Sequence, residues 1–396
     1  MSTRRRGNRE GSISKEPSRG GYVGKVRVLD PVTGASRRVT VRGKTSSDVR
    51  RKLRAVVDRA DQGRAVVDSS LTVKAYLERW QDVGLPARGL GRSTVMGYGY
   101  AIEKQLVPFL GELKLKQLKP SDVERFVVAM KRGEVGERKT PYAASTTRTA
   151  YTVLRMALSD AVRDGYLARN PAAEVSRPKP SDAEARVLTP EETRRLLEAA
   201  KGHRLYSWLI LVGSLGLRKG ESLALRWENV DVEAGTVKVT ETLGRYKDEA
   251  GKWRLSPGPP KAGSKRTLDL SSSPALLEVL RRHRIAQAEE KLRAGSAWQE
   301  HGLVFPSELG TYVDPRNALR ALKGWAAKAG LDEAVTVHTL RHTSATAQLD
   351  AGLSPKVVAD VLGHSDARVT MSTYAHALDP AKAQAVKASA ALFGAV

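Results

Sequence analysis

The chain has 396 residues, with 67 Lys and Arg against 43 Asp and Glu, and its net charge of +24 points to a polyanionic partner. It contains no Cys, which excludes disulfides, thiolate chemistry and Cys-ligated zinc. No apolar run approaches the roughly 20 residues that span a bilayer, and no signal-peptide core opens the chain, so a soluble cytoplasmic protein with no membrane partner is expected.

The charge excess is uneven: residues 1–64 hold 18 Lys and Arg against 6 Asp and Glu, half of the whole excess. Residues 1–20, with Arg4-Arg5-Arg6 and many Ser and Gly, carry too little apolar content to fold alone and read as a disordered basic tail. Within 21–66, Tyr22 to Leu29 and Ser36 to Arg42 are strand-like, and Asp30-Pro31-Val32-Thr33-Gly34 between them is a hairpin turn. Ser47 or Asp48 then caps a helix with Val49, Leu53, Val56, Val57 and Ala60 on one side. Lys25, Arg27, Arg37, Arg38 and Arg42 lie on or beside the strands as a basic surface suited to phosphates. Gly43-Lys44-Thr45 ends like a phosphate loop, but Arg38 stands where that motif needs Gly, so no nucleotide site is implied.

Residues 70–176 read as four helices. Thr72 caps the first, whose Val73, Tyr76, Leu77 and Trp80 form an apolar stripe. Ser93 opens the second, Ser121-Asp122 the third and Ser145 the fourth, which ends near Gly165 and Asn170-Pro171. Gly97 and Gly99 inside the second cost about 1 kcal/mol each relative to Ala, which asks for a close approach by a helix or a ligand backbone. Residues 177–188, with Arg177, Pro178, Lys179 and Pro180, read as a basic linker.

From 189 to 396 the pattern mixes helices and strands. Thr189-Pro190-Glu191-Glu192 starts a helix, and a buried helix through Leu205, Trp208, Leu209 and Val212 stops at Gly216. Arg218 and Glu221 follow in the turn into a helix through Leu223 and Leu225. Val230 to Thr242 alternates like a strand, with Lys265 to Leu270 as its partner and Lys261 in the Pro- and Gly-rich turn between. Residues 245–256 read as a charged loop of no evident role.

The densest chemistry lies between His338 and Tyr374. Helical spacing puts His338, Arg341 and His342 on one face, where a guanidinium fork flanked by two imidazoles suits an oxyanion. A His pair at this spacing can also bind zinc, but Arg341 on the same face argues against a divalent cation. Ser354-Pro355 opens a helix that Gly363 closes, leaving His364 just past its end. Asp366 caps a further helix carrying Tyr374, a hydroxyl nucleophile if held in line with a charge-neutralised phosphorus. His342 and His376 read as packing or supporting residues.

His338-x-x-Arg341, Leu362-Gly363-His364 and Tyr374, in this order and spacing, resemble the active site of the tyrosine recombinase (phage integrase) family. On that resemblance Arg218 matches the first-box Arg, Glu221 the acidic residue that orients it, and Lys261 the hairpin Lys, with Lys265 as a rival four residues on. The resemblance implies a mainly α multidomain fold with small β-sheets: an N-terminal sheet plus helix that binds arm sites, a helical domain that binds core sites, and an α+β catalytic domain. It implies a site-specific recombinase that cuts and rejoins double-stranded DNA through a 3′-phosphotyrosyl link, without metal, ATP or other cofactor. Its implied partners are a homotetramer on DNA, a directionality factor and a DNA-bending host protein, at the bacterial nucleoid. A type IB topoisomerase uses a similar constellation and is the alternative. Asp379-Pro380 opens a last helix with Ala383, Val386, Ala390 and Phe393, which either packs on its own domain or docks into a neighbouring protomer.

Overall fold

The computed structural model describes residues 11–16, 20–29, 36–62, 71–137, 139–179, 186–248, 250–260 and 264–364. The turn at 30–34, Lys261, Tyr374 and the last helix fall outside them. The chain divides into two compact units, residues 1–182 and 183–396. Among the described residues no helix is long and apolar enough to cross a membrane.

The first unit opens with an antiparallel sheet of β1 (Ser12–Glu16), β2 (Gly21–Leu29) and β3 (Ser36–Gly43), in that order. Alternation sends Val26 and Val28 inward onto Val49 and Leu53 of α1 (Ser46–Asp61). Gly24 is required where sheet and helix meet, because a Cβ there would lie 2.5 Å from Val49 Cγ1. Two expectations change here. Strand β1 lies in the stretch read as a disordered tail, since Ile13, opposite Gly24, gives that polar segment one apolar anchor against the module's small core. The cap of α1 is Thr45, whose hydroxyl accepts from Asp48 N, and not Ser47 or Asp48.

The helical part contains α2 (Val73–Arg79), α3 (Arg92–Ala101), α4 (Val107–Leu110), α5 (Pro120–Arg132) and α6 (Ala144–Arg163). Thr72 caps α2 through Ala75 N, and the chain then widens into a π turn, Trp80–Gly84. A second π segment, Ile102–Leu106, joins α3 to α4 just before Pro108, whose missing N–H interrupts the regular ladder. The helices close on Leu77, Ile102, Leu106, Phe126, Met130, Tyr151 and Leu154. Helix starts differ by one or two residues from the polar residues expected to open them: Gly91, Lys119 and Ala143 stand at the caps. A Cβ at Gly99 would meet Gln81 at 3.3 Å, whereas nothing in the structure explains Gly97. Arg59 of α1 donates to Gly165 O at 2.6 Å, tying the sheet-and-helix part to the helical part.

The second unit contains α7 (Pro190–Ala200), α8 (Tyr206–Leu215), α9 (Lys219–Ala224), β4 (Val230–Asp231), β5 (Thr236–Val239), β6 (Thr242–Lys247), β7 (Trp253–Gly258), β8 (Arg266–Asp269), α10 (Pro274–Ala294), α11 (Pro315–Lys328), α12 (Val337–Asp350) and α13 (Pro355–Leu362). A reciprocal cap between Thr189 and Glu192 starts α7, as the sequence predicts. The single strand expected over 230–242 is three pieces. Asp231 accepts from Glu233 N and Ala234 N, so the chain reverses there and β4 pairs back on β5. Strand β5 pairs with β8, as expected, while β6 and β7 form a separate hairpin from the segment read as an unassigned loop. At its tip side Arg245 stacks 4.0 Å from the ring of Trp253, a contact that reading charge and Gly content misses.

Gly216 ends α8 in the left-handed region at φ +60°, and a Cβ there would lie 2.4 Å from Leu362 Cδ2 of α13. Gly202 has a similar φ of +75° but open space around it. Gly202→Ala is therefore expected to lose only the conformational cost of about 1–2 kcal/mol. Gly216→Ala adds an overpacking cost of about 1–3 kcal/mol. Urea unfolding of the two variants side by side checks the difference.

Candidate active site

The site is assembled at the C-terminal end of α13. Ser354 caps that helix through Val357 N, Pro355 follows, and Gly363 stops it in the left-handed region at φ +68°. Gly363 N and His364 N turn back onto Asp360 O and Ala359 O. The last carbonyls therefore have no helical partner and carry the negative end of the helix dipole. Three guanidinium groups from three other elements satisfy them in succession. Arg266 Nε donates to Val361 O at 2.6 Å, Arg341 Nη2 to Leu362 O at 2.7 Å and Arg218 Nη2 to Gly363 O at 2.8 Å.

Arg341 is 2% exposed on α12, and its Nη1 also donates to Gly216 O at 2.6 Å. Arg218, just before α9, is more open and donates to Glu221 Oε1 at 2.7 Å. Glu221 is buried, and its second oxygen accepts from Arg218 N at 3.1 Å and from Arg266 Nη2 at 3.0 Å. Burial alone would raise the Glu221 carboxyl; the bonds and charges of Arg266 and then Arg218 outweigh it and hold the carboxyl below its ordinary range. Glu221 thus orients two arginines, where the sequence reading assigned it one.

Thr336 caps α12, and the next turn carries His338, Arg341 and His342. The rings of His338 and His342 meet edge to face at 5.2 Å. Burial, then the nearby charges of Arg341 and Arg218, push His338 below its ordinary value even though the residue stays exposed. Burial followed by the Arg341 and Arg218 charges takes His364 to about 4, and burial with His338 and Arg341 takes His342 to about 4. All three imidazoles are neutral near pH 7, so each has one N–H to donate and one nitrogen to accept a proton.

The structure thus brings Arg218, Glu221, His338, Arg341, His342 and His364 together, while Lys261 and Tyr374 lie outside the described residues. Lys265 is exposed immediately before β8. Among the described residues, no three His, Cys, Asp or Glu side chains converge as a metal site would require. Arg266 is the residue that sequence reading missed. Its signal was present: Arg266 shares the inward phase of the strand with Leu268 and Leu270, where a charge is out of place unless it is paired.

In the first unit, Lys25, Arg27, Arg38 and Arg42 fall on the sheet face opposite the core: Lys25 is paired with Thr40, Arg27 with Arg38 and Val23 with Arg42. Arg42 is already bonded to Glu16 at 3.1 Å. Arg37 pairs with Val28 in the register of β2 and β3. Arg177 and Lys179 are exposed, and Arg177 donates to Thr152 Oγ1 at 3.3 Å.

The profile of the phage integrase family matches residues 186–380, and that of the phage integrase N-terminal SAM-like domain matches residues 72–130. A tyrosine recombinase XerC-like protein of Caldanaerobacter subterraneus subsp. tengcongensis is 34% identical over 265 residues, covering 63% of this chain and 67% of its own length. An integrase of Streptomyces ambofaciens is 26% identical over 392 residues, 95% of each chain. Among solved structures, the Tn1549 transposon integrase in complex with transposon right end DNA superposes with a TM-score of 0.64 at 20% identity, over 80% of this chain and 99% of that one. The lambda integrase tetramer bound to a Holliday junction gives 0.55 at 18% identity, over 92% and 96%.

The depressed histidines have a stability consequence. Their folded values lie below the unfolded value of about 6.5, so the unfolded chain binds more protons as pH falls. Their contribution is complete above about pH 6.5 and declines toward the folded value of about 4. The fall in thermal midpoint between pH 7 and pH 4 should be shallower in His342→Gln than in the parent, and equal slopes would remove His342 from the account.

Proposed function

The chain belongs to the phage integrase family of tyrosine recombinases and is a site-specific recombinase that cuts and rejoins DNA, and on that premise we propose how its residues divide the chemistry. The observation that carries the assignment is the delivery of Arg218 and Arg341 to adjacent carbonyls, Gly363 O and Leu362 O, with His364 next in the chain. Guanidinium groups fixed in this way can clasp the two non-bridging oxygens of one phosphodiester without reorganising as negative charge builds in the transition state.

In the proposed reaction Tyr374 Oη attacks the phosphorus, the bond to the 5′-oxygen breaks, and a 3′-phosphotyrosyl ester forms. Lys261 protonates the departing 5′-oxygen. His338 exchanges the tyrosine proton, which its neutral ring can accept, and His364 donates to a non-bridging oxygen. His342 supports His338 through the edge-to-face ring contact. Because the new ester retains the bond energy, the 5′-hydroxyl of a second DNA end can reverse the step, and strand exchange needs neither ATP nor a metal. A topoisomerase IB reading is not favoured, because the relatives are recombinases and integrases.

The partners follow from the same reading. Duplex DNA binds as core sites to the helical part, residues 70–176, with Arg177 and Lys179 of the linker 177–188 beside it, and to the catalytic domain, 189–396. The sheet bearing Lys25, Arg27, Arg37, Arg38 and Arg42 takes arm sites. Assembly on DNA is a homotetramer, helped by a directionality factor and a DNA-bending host protein, in the cytoplasm at the nucleoid. The solved relatives bound to transposon DNA and to a Holliday junction support the DNA and multimer parts of this reading.

A nicked suicide duplex carrying the element's own junction tests the chemistry directly. Mass spectrometry should find the covalent DNA adduct on Tyr374, and Tyr374→Phe should keep DNA binding but lose the adduct. An adduct formed by Tyr374→Phe would move the nucleophile elsewhere. Arg218→Ala and Arg341→Ala should each slow cleavage roughly 10²-fold or more, on the scale of about 3 kcal/mol for one lost oxyanion donor. Near-normal rates in either variant would end the phosphate-clasp assignment.

A further inference from the structure

Arg266 is a buried charge that the proposed chemistry does not use. Its side chain is 7% exposed, and it makes three directed bonds, two of them to distant segments and one to its own. Nε donates to Val361 O at 2.6 Å, Nη1 to Ser264 O at 3.0 Å and Nη2 to Glu221 Oε2 at 3.0 Å. Its backbone meanwhile belongs to β8, paired through Val239 to β5. The guanidinium fork therefore pins the start of β8 simultaneously to the end of α13 and to the carboxylate that holds Arg218. A Cβ on Gly363 would lie 2.7 Å from Arg266 Nη1, so the contact is also sterically tight.

We infer that Arg266 is a positioning residue for strand cleavage: it registers the strand entering from Lys261 and Lys265 against the Arg218, Arg341 and His364 cluster, and so sets the reach of the general acid to the leaving oxygen. The inference rests on the site reading given above. Lys261 lies five residues and Lys265 one residue before Arg266 in the chain, so the head of β8 is where the segment carrying either lysine joins the strand. Three separated acceptors explain why this position needs Arg. A Lys there keeps the charge but places a single ammonium at one point, and it cannot span Val361 O, Ser264 O and Glu221 together. Misplacement of a reacting group by about 1 Å costs roughly 10²-fold in rate, so a small slip of the strand is enough.

The experiment compares full-length protein and Arg266→Lys in single-turnover cleavage of two suicide duplexes, one with the ordinary 5′-oxygen and one with a 5′-phosphorothiolate. The sulfur departs as a thiolate and needs no proton, so it bypasses the general acid. Arg266→Lys should cleave the oxygen substrate roughly 10²-fold more slowly, in line with a misplaced catalytic group. It should recover most of that loss on the sulfur substrate, with its affinity for core DNA unchanged. Equal defects on both substrates would overturn the inference, as would a defect explained wholly by weaker DNA binding. If Arg266→Lys does not fold, Arg266→Gln is the second variant: its amide still donates to one of the three acceptors, Glu221 keeps its bond to Arg218, and the same sulfur rescue is expected of it. Lys261→Ala and Lys265→Ala serve as separate controls. Rescue of Lys265→Ala instead of Lys261→Ala would reassign the general acid while leaving the role of Arg266 intact, and rescue of neither would sink the acid assignment independently.

Discussion

Three neighbouring carbonyls at one helix end, each taken by a different guanidinium, hold the candidate site of the second unit together. Hydrogen bonds to charged groups contribute about 1.5–3 kcal/mol each, and a partly buried dipole end adds to them. Remove the left-handed stop at Gly363 and the carbonyls would point elsewhere. The acceptors are then lost to β8, α12 and the turn before α9 at the same time. Gly216 matters for the matching reason, since its own carbonyl receives Arg341 and its bare Cα lets Leu362 approach.

This arrangement concentrates positive charge in a place from which water is partly excluded. Glu221 is buried among it and compensates two arginines, while α13 supplies fractional negative charge without a second carboxylate. The result is a surface held in shape by neutral carbonyls and still strongly electropositive. A second full carboxylate would satisfy the arginines as well but would repel a phosphodiester. The neutral imidazoles fit the same economy: they offer donors without adding charge repulsion among the guanidinium groups.

Much of this was legible in the chain. Helical spacing announced the face of His338, Arg341 and His342, and Ser354-Pro355 with Gly363 announced both ends of α13, because caps and left-handed stops are local rules. Lys25, Arg27, Arg38 and Arg42 could be placed on one face by period two. What stayed hidden is non-local. Nothing near Arg266 in sequence reveals that its acceptors lie 45 and 95 residues away. Strand β1 was missed because its pairing to β2, and not its own polar composition, makes it a strand. The β6 and β7 hairpin escaped notice because its Trp253 packs with Arg245 where a turn-rich, charged segment suggested only solvent.

The use of main-chain oxygens as the common acceptor has a consequence for how such a site can change over generations. A carbonyl is present whatever side chain occupies the position, so Val361 and Leu362 can be exchanged for other apolar residues without touching the atoms that Arg266 and Arg341 grip. The constraint falls on conformation instead, at Gly363, where φ is +68° and Arg266 leaves no room for a Cβ, and at Gly216, where φ is +60° and Leu362 leaves none. A lineage can therefore rework the face that α13 shows to its surroundings, and with it what the protein tolerates nearby, while the arginines stay where they are. Drift is absorbed by the side chains and refused by the backbone.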